Sequence, residues 1–196
     1  PASFKIAIKI PLPKSHNGEK SGFDDHRGIS LLPVFDKILQ RIILNRMQLI
    51  PGTQIHSLQG AYQKEQDALT TAFMIDESIK SCCDEGDCVY ACFVDIRKAF
   101  DKMWIDAMLY KLFHQAGVKG KCWRIIRSWY SNMREMVYIN GIYSRIYDLR
   151  QGARQGGILS PWLFLVYIND LIYELENTYW SVFLYKKYFG SPMFAD

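Results

Sequence analysis

Apolar and basic residues alternate along Lys5–Pro13 (KIAIKIPLP) until two prolines interrupt them. That period of two predicts a strand with one wet face. Lys14–Asp25 is polar and glycine-bearing, and reads as a loop. From Asp36 the period lengthens: Ile38, Leu39, Ile42, Ile43 and Met47 recur at helical spacing until Pro51-Gly52 stops them. A second helix is predicted from about Asp67 to Ser81, with Leu69, Ala72, Phe73 and Ile79 marking its faces, and Asp84–Asp87 turns the chain. Residues 88–96 (CVYACFVDI) carry one charge, Asp95, in a β-rich apolar run, which predicts a buried central strand. Helical spacing returns at Met108, Leu109, Leu112 and Phe113, with Gly117 as C-cap, and another helix covers about 120–132. Asn140-Gly141 between two apolar runs, 136–140 and 142–149, predicts a hairpin. Ser160-Pro161 opens a long apolar helix to about Glu174, serine as N-cap and proline in the first turn. Residues 180–189 are strand-like, and Gly190-Ser191-Pro192 turns the chain into Met193–Asp196.

Helices and strands are mixed without βαβ alternation, so the predicted class is α+β around a mostly antiparallel sheet. The 196 residues fit one large domain or two small subdomains. Hydrophobic residues at 49% and charged residues at 22% exclude a disordered tail. The net charge of +4 permits a nucleic-acid partner without arguing for one. Cys82, Cys83, Cys88, Cys92 and Cys122 form no CxxC pair and have no secretory signal ahead of them, so they read as reduced, buried thiols of an intracellular protein. No apolar run reaches membrane-spanning length. The chain starts at Pro1 and stops at Asp196, and both ends read as cuts through a longer reading frame.

Four features carry candidate chemistry. Asp95 sits near the end of an apolar strand, where a carboxylate needs a partner or a cation, the plain alternative being a strand-end cap. Asp196 ends a second short apolar run; two such strands delivering carboxylates to one end of a sheet could hold Mg²⁺ between them. Gly152–Pro161 (GARQGGILSP) is a glycine-rich turn running into a helix N-terminus, a place where backbone approaches a ligand and anions are favoured. Lys9, Lys14, Lys20 and Arg27 flank the first loop and would suit triphosphate oxygens, although scattered lysines are more commonly a solvated loop.

At Phe93–Asp101 (FVDIRKAFD) the chain closely resembles the first catalytic motif of reverse transcriptases from non-LTR (LINE-type) retrotransposons. Arg154–Pro161 with Leu163-Phe164 and Tyr167–Leu171 looks like the family's second palm motif, and Phe194-Ala195-Asp196 resembles the start of its aromatic-Ala-Asp-Asp motif. His26–Leu32, with Lys37-Ile38-Leu39 and Asn45-Arg46, resembles a fingers motif, and Gln59-Gly60-Ala61-Tyr62 the next one. These motifs stand in the family's order and span about residues 5 to 196. His26 replaces the usual aromatic, and Gln63 and Glu65 stand where basic and glycine residues are common.

The resemblance implies a right-hand polymerase fold of fingers and palm, with no thumb within these residues. Fingers would occupy 1–87. Residues 88–102 would be the palm strand with the first motif, 103–152 the fingers/palm connection with its hairpin, and 153–196 the palm with the Gln-Gly and truncated Ala-Asp motifs. The implied reaction is RNA-directed DNA synthesis, a two-metal transfer from a dNTP to a primer 3′-OH on an RNA template. Asp95 and Asp196 would hold two Mg²⁺ ions, or Mn²⁺ in their place. Arg27 and Lys14 would bind the triphosphate, and Gln155 and Gly156 the incoming nucleotide. Phe100 would act as a steric gate against the ribose 2′-OH. Gln59, Gly60, Tyr62 and Arg154 would contact nucleic acid. The implied location is nuclear or cytoplasmic, with no membrane partner. Lacking the second aspartate of the last motif, these residues are expected to be inactive alone. The alternatives are a non-catalytic nucleic-acid-binding remnant and the palm of an RNA-dependent RNA polymerase.

Overall fold

A computed structural model describes residues 2–13, 26–178, 182–184 and 186–195. The predicted loop at 14–25, with Lys14 and Lys20, and the final Asp196 lie outside the described residues.

The alternating segment forms β1 (Ile6–Pro13), an interior strand of a five-stranded sheet. β2 (His26–Leu31) runs antiparallel beside it, from Ile8 opposite Leu31 to Pro13 opposite His26. On the other side β3 (Met133–Ile139) runs parallel, pairing with Ile6–Lys9 only. Pro11 and Pro13 therefore fall where β1 has a single neighbour, as residues without an N–H require. β3 continues through Asn140 (φ 48°) and Gly141 (φ 84°) into β4 (Ile142–Tyr143), the turn those two residues favour. β5 (Tyr147–Leu149) returns antiparallel to Met133–Glu135. The pairings are mostly antiparallel, as expected, but the β1–β3 contact makes the sheet mixed.

The connection from β2 to β3 holds α1 (Val34–Met47), α2 (Ala68–Asp84), α3 (Ala99–Lys102), α4 (Ile105–His114) and α5 (Gly120–Tyr130). After the sheet comes α6 (Ser160–Glu176), then a small hairpin of β6 (Phe183–Leu184) and β7 (Lys187–Tyr188). One core joins Ile43, Leu44 and Met47 of α1, Met108 and Leu112 of α4, Ile126 of α5 and Leu163 and Phe164 of α6. Each such side chain contributes about 1.5–3 kcal/mol on full burial. A smaller cluster packs Leu58 and Tyr188 on Ile172. Among the described residues no helix is long and apolar enough to cross a membrane.

Four expectations are corrected. Residues 88–96 form no strand: they lie exposed and unpaired, with Tyr90 at 95% and Phe93 at 84%. An apolar run is buried as a strand only when neighbouring strands cover it, and none of the described strands pairs with this one. Ser160 is not the N-cap of α6. It lies inside the first turn, and the amide of Leu159 is satisfied by the Gln40 side chain from α1 at 3.1 Å. The strand-like run 180–189 is a two-stranded hairpin within its described part. The thiols of Cys83, Cys88 and Cys92 are exposed, not buried, because they ride on α2 and on the uncovered segment after it.

Candidate nucleotide-binding site

The turn after β5 meets three other parts of the chain. Gly152 and Ala153 donate backbone hydrogen bonds to Met103 (2.9 Å) and Phe100 (2.7 Å), fastening the turn to α3. Gly152 has φ 90°, and a Cβ there would lie 2.7 Å from the Asp101 carbonyl oxygen, so only glycine permits this approach. Two residues on, the Gln155 carbonyl accepts the Ser30 amide of β2 at 2.6 Å. Gly156, at φ 114°, sits so close that a Cβ would be 2.5 Å from the Ser30 carbonyl oxygen. The first motif, the glycine turn and β2 are thereby brought together, and β2 carries Arg27 exposed three residues before Ser30.

Beneath this junction lies a polar staple across four strands. Glu135 of β3, 1% exposed, accepts a hydrogen bond from the Ser30 hydroxyl (2.8 Å) and from the Tyr147 hydroxyl (3.2 Å). Lys9 of β1 lies 3.6 Å from the Glu135 carboxylate and 3.8 Å from that of Asp101. Burial first, and then the Glu135 charge, pushes the Tyr147 phenol up to about 12. Gly28 leaves room for the Lys9 side chain to cross β2.

A second buried network supports α6. Asp36, fully buried on α1, accepts from Gln40 at 2.9 Å, and Gln40 in turn caps Leu159. Burial raises the Asp36 carboxyl above the ordinary carboxylate range against the opposing Gln40 hydrogen bond and the Arg154 charge. Burial likewise lowers the Arg154 guanidinium, opposed by the charges of Glu135 and Asp36.

Phe100 is half-buried, stacked on Phe164 with ring centroids 5.0 Å apart, and meets Tyr62 edge-on at 6.3 Å. Tyr62 is 62% exposed, at φ 54°. Gln59 is buried, and its side-chain oxygen accepts the amides of Ala61 (3.1 Å) and Ala195 (2.9 Å). Gly60 donates to Met193 and Met193 to Leu58, both at 2.8 Å, so residues 58–61 hold the segment that leads to Asp196. Asp95 precedes this assembly on the exposed segment, three residues before the left-handed turn at Lys98 (φ 58°) that starts α3.

The family model described as reverse transcriptase (RNA-dependent DNA polymerase) matches residues 13–189. The chain belongs to the reverse transcriptase family. Its sequence is 28% identical over 178 residues to a probable RNA-directed DNA polymerase from transposon BS of Drosophila melanogaster, covering 87% of this chain and 19% of that protein. It is 25% identical over 150 residues to the RNA-directed DNA polymerase from mobile element jockey of Drosophila funebris (76% and 16%). It is 23% identical over 163 residues to a Pol polyprotein from the type-1 retrotransposable element R2 of Popillia japonica (83% and 22%). The chain thus spans about a fifth of the length of these relatives, and its mixed α/β structure fits the fingers and palm of a reverse transcriptase.

Three of the four residues expected to touch nucleic acid in this reverse transcriptase chain are buried. Arg154 is 7% exposed; it donates to the Phe4 carbonyl at 2.9 Å and to the Lys5 carbonyl, tying the glycine turn to the short helical turn that leads into β1. Gln59 is 1% exposed and holds backbone. Gly60 is buried too: a Cβ would meet Thr71 and the Phe194 ring. Sequence reasoning missed the supports Glu135, Ser30, Asp36 and Gln40. A signal was present: Glu135 shares the inward face of β3 with Met133, and Asp36 and Gln40 share the buried face of α1 with Ile43, Leu44 and Met47.

Proposed function

We propose that this chain contributes the nucleotide-binding part of an RNA-directed DNA polymerase, in which a primer 3′-OH attacks the α-phosphate of a dNTP and pyrophosphate leaves. The observation that carries it is the junction of α3, the Gln155-Gly156 turn and β2, which sets three motifs far apart in sequence around one surface. Arg27, exposed on β2, offers a bidentate fork for triphosphate oxygens, and Lys14 would assist it. Gln155 and Gly156 would lie against the incoming nucleotide. Phe100, fixed by its stack on Phe164, would limit space at the sugar 2′ position, and Tyr62 beside it would face the template.

Asp95 offers an exposed carboxylate, a hard oxygen donor suited to Mg²⁺, and the residue preceding Asp196 is fixed by Gln59. These two carboxylates would hold two divalent ions. When bound, such ions neutralise charge on the phosphates and activate the attacking oxygen. The chain's own share is positioning and electrostatic complementarity around the triphosphate. Fingers would be residues 1–87 and 103–152, palm 88–102 and 153–196, with RNA template and DNA primer as partners.

Binding of a fluorescent dGTP to the chain, with an RNA/DNA primer–template, tests this reading. Affinity should depend on Mg²⁺ or Mn²⁺, fall at least tenfold in Arg27→Ala, and lose its metal dependence in Asp95→Asn. Phe100→Ala should bring the affinity for rGTP up to that for dGTP. Metal-independent binding unchanged by all three substitutions would refute it. A second reading, nucleic-acid binding without catalysis, draws on the exposure of Asp95 along an unpaired segment. It predicts primer–template binding with no metal-dependent nucleotide affinity.

A further inference from the structure

The packed pair α4–α5 leaves an open groove of about 370 Å³ on the surface, lined by Asp106, Leu109, Tyr110, Phe113 and His114 from α4 and Trp123 and Arg127 from α5. None of these residues takes part in the junction of the glycine turn with β2. The rings form a connected ladder. Tyr110 and His114 have centroids 4.4 Å apart, His114 and Phe113 4.9 Å, and Phe113 and Trp123 5.1 Å. The Trp123 ring is pinned by its N–H to the Leu109 carbonyl at 3.1 Å, while Tyr110 at the other end is 60% exposed.

Cations stand over these rings. The Lys119 ammonium is 5.6 Å from the Phe113 centroid, and the Arg127 guanidinium 5.3 Å from that of Trp123. Lys119, Trp123 and Arg127 recur every four residues, so they share one rim. Lys121 and Arg124 are exposed on the same helix. Residues 119–130 thus hold four cations and no acid, against a net charge of only +4 for the whole chain. Positive charge is concentrated beside pre-ordered aromatic faces. Phosphodiesters with unpaired bases satisfy both halves of such a surface: the bases cover rings and the phosphates meet Lys and Arg. An acidic peptide would meet the cations and leave the rings uncovered.

We propose that the α4–α5 groove is a second nucleic-acid site, a platform for single-stranded nucleic acid outside the polymerase cleft. The test uses this chain with 5′-fluorescein-labelled 12-nucleotide uridine RNA and thymidine DNA, read by anisotropy and by tryptophan quenching. The Trp123 signal is taken as the difference between the wild type and Trp123→Phe, so binding elsewhere does not enter it. Single strands should quench Trp123, and affinity should drop steeply between 50 and 200 mM salt. Lys119→Glu with Arg127→Glu, both at the surface, should weaken this binding at least tenfold, and Tyr110→Ala roughly tenfold, the effect of one stacked base. Equal quenching by RNA and DNA assigns recognition to base faces and phosphates, and a preference for RNA adds the 2′-hydroxyl; either supports the site. Arg27→Ala in the cleft should leave the Trp123 signal unchanged, so this site and the polymerase reading fail separately. No Trp123 quenching, unchanged affinity in the variants with wild-type circular dichroism, equal quenching by a duplex, or quenching by polyglutamate but not by the oligonucleotides would each overturn the proposal.

Discussion

Replacing Gly156 with alanine should do more harm to nucleotide binding than to folding. The added Cβ would begin 2.5 Å from the Ser30 carbonyl oxygen, and ordinary contact starts at 3.4 Å, so the turn and β2 must separate by about 0.9 Å. The Ser30–Gln155 hydrogen bond, now 2.6 Å, would lengthen to about 3.5 Å and cease to be one. A non-glycine residue at φ 114° is strained by about 1–3 kcal/mol, and the lost hydrogen bond is worth about 0.5–1.5 kcal/mol. Together they cost about 1.5–4.5 kcal/mol, a fall in Tm of roughly 3–18 °C for a chain this long. A misplacement of about 1 Å costs a positioned reaction roughly a hundredfold in rate, and dGTP affinity, the ground-state part of that positioning, should fall by a smaller factor, roughly tenfold. Gly141→Ala is the control. Its φ is 84° and an added Cβ there meets nothing within 4 Å, so it introduces strain without a push. Thermal melts by circular dichroism and titrations with fluorescent dGTP separate the two effects. If both variants lost the same stability and neither lost nucleotide affinity, the junction would not be the site.

Glu135→Ala should cost about 3 kcal/mol in urea titrations, near the lower limit for breaking a buried ion pair because Lys9 is 26% exposed, while Glu135→Gln should cost less. Gln59→Leu removes the acceptor for the Ala61 and Ala195 amides; stability should fall by about 1–3 kcal/mol, and hydrogen exchange at Ala195 should quicken, whereas unchanged exchange there would contradict the hold on that segment. Asp36 has its carboxyl raised above 3.8 by burial, so from that pH up to its raised value the folded chain binds more protons than the unfolded one, and stability drops as pH rises through the window. Asp36→Asn should flatten that decline and be relatively more stable at neutral pH; a wild type that gains stability over the variant as pH rises would contradict this.

What the pattern of residues revealed depended on how local the cause was. Asn140-Gly141 dictates its own hairpin because both residues accept positive φ, and Asp67 caps α2 by accepting the Thr70 amide three residues on. Apolar periodicity located α1, α4 and α6, which bury a stripe whatever lies opposite, and it located α2 as well, although α2 buries only Thr71 and leaves Leu69 and Phe73 exposed. Residues 88–96 show the limit of that reasoning. Their composition states a demand for burial, but a strand needs partners, and nothing within nine residues says whether any are in place. The same holds for Arg154, whose guanidinium reaches carbonyls about 150 positions away.

The candidate site divides along that line too. Motif resemblance identified Arg27, Phe100, Gln155 and Gly156, and the fold places Gln155 and Gly156 against the strand that bears Arg27, and α3 against the same turn. Resemblance treats a motif as one functional block, whereas the fold divides each block between surface and support. In the Arg-Gln-Gly run, Arg154 turns inward to anchor the turn that leads into β1 while Gln155 is left half-exposed at the junction. In the Gln-Gly-Ala-Tyr run, Gln59 fixes the approach to Asp196 and Tyr62 remains at the surface. The division has a physical reason. A residue that must meet a ligand with little freedom needs a neighbour whose polar groups are fully used in holding the backbone, and that neighbour is most effective when adjacent in sequence. Loss of Arg154 should therefore act on nucleotide binding through the position of Gln155, not through a lost charge at the ligand.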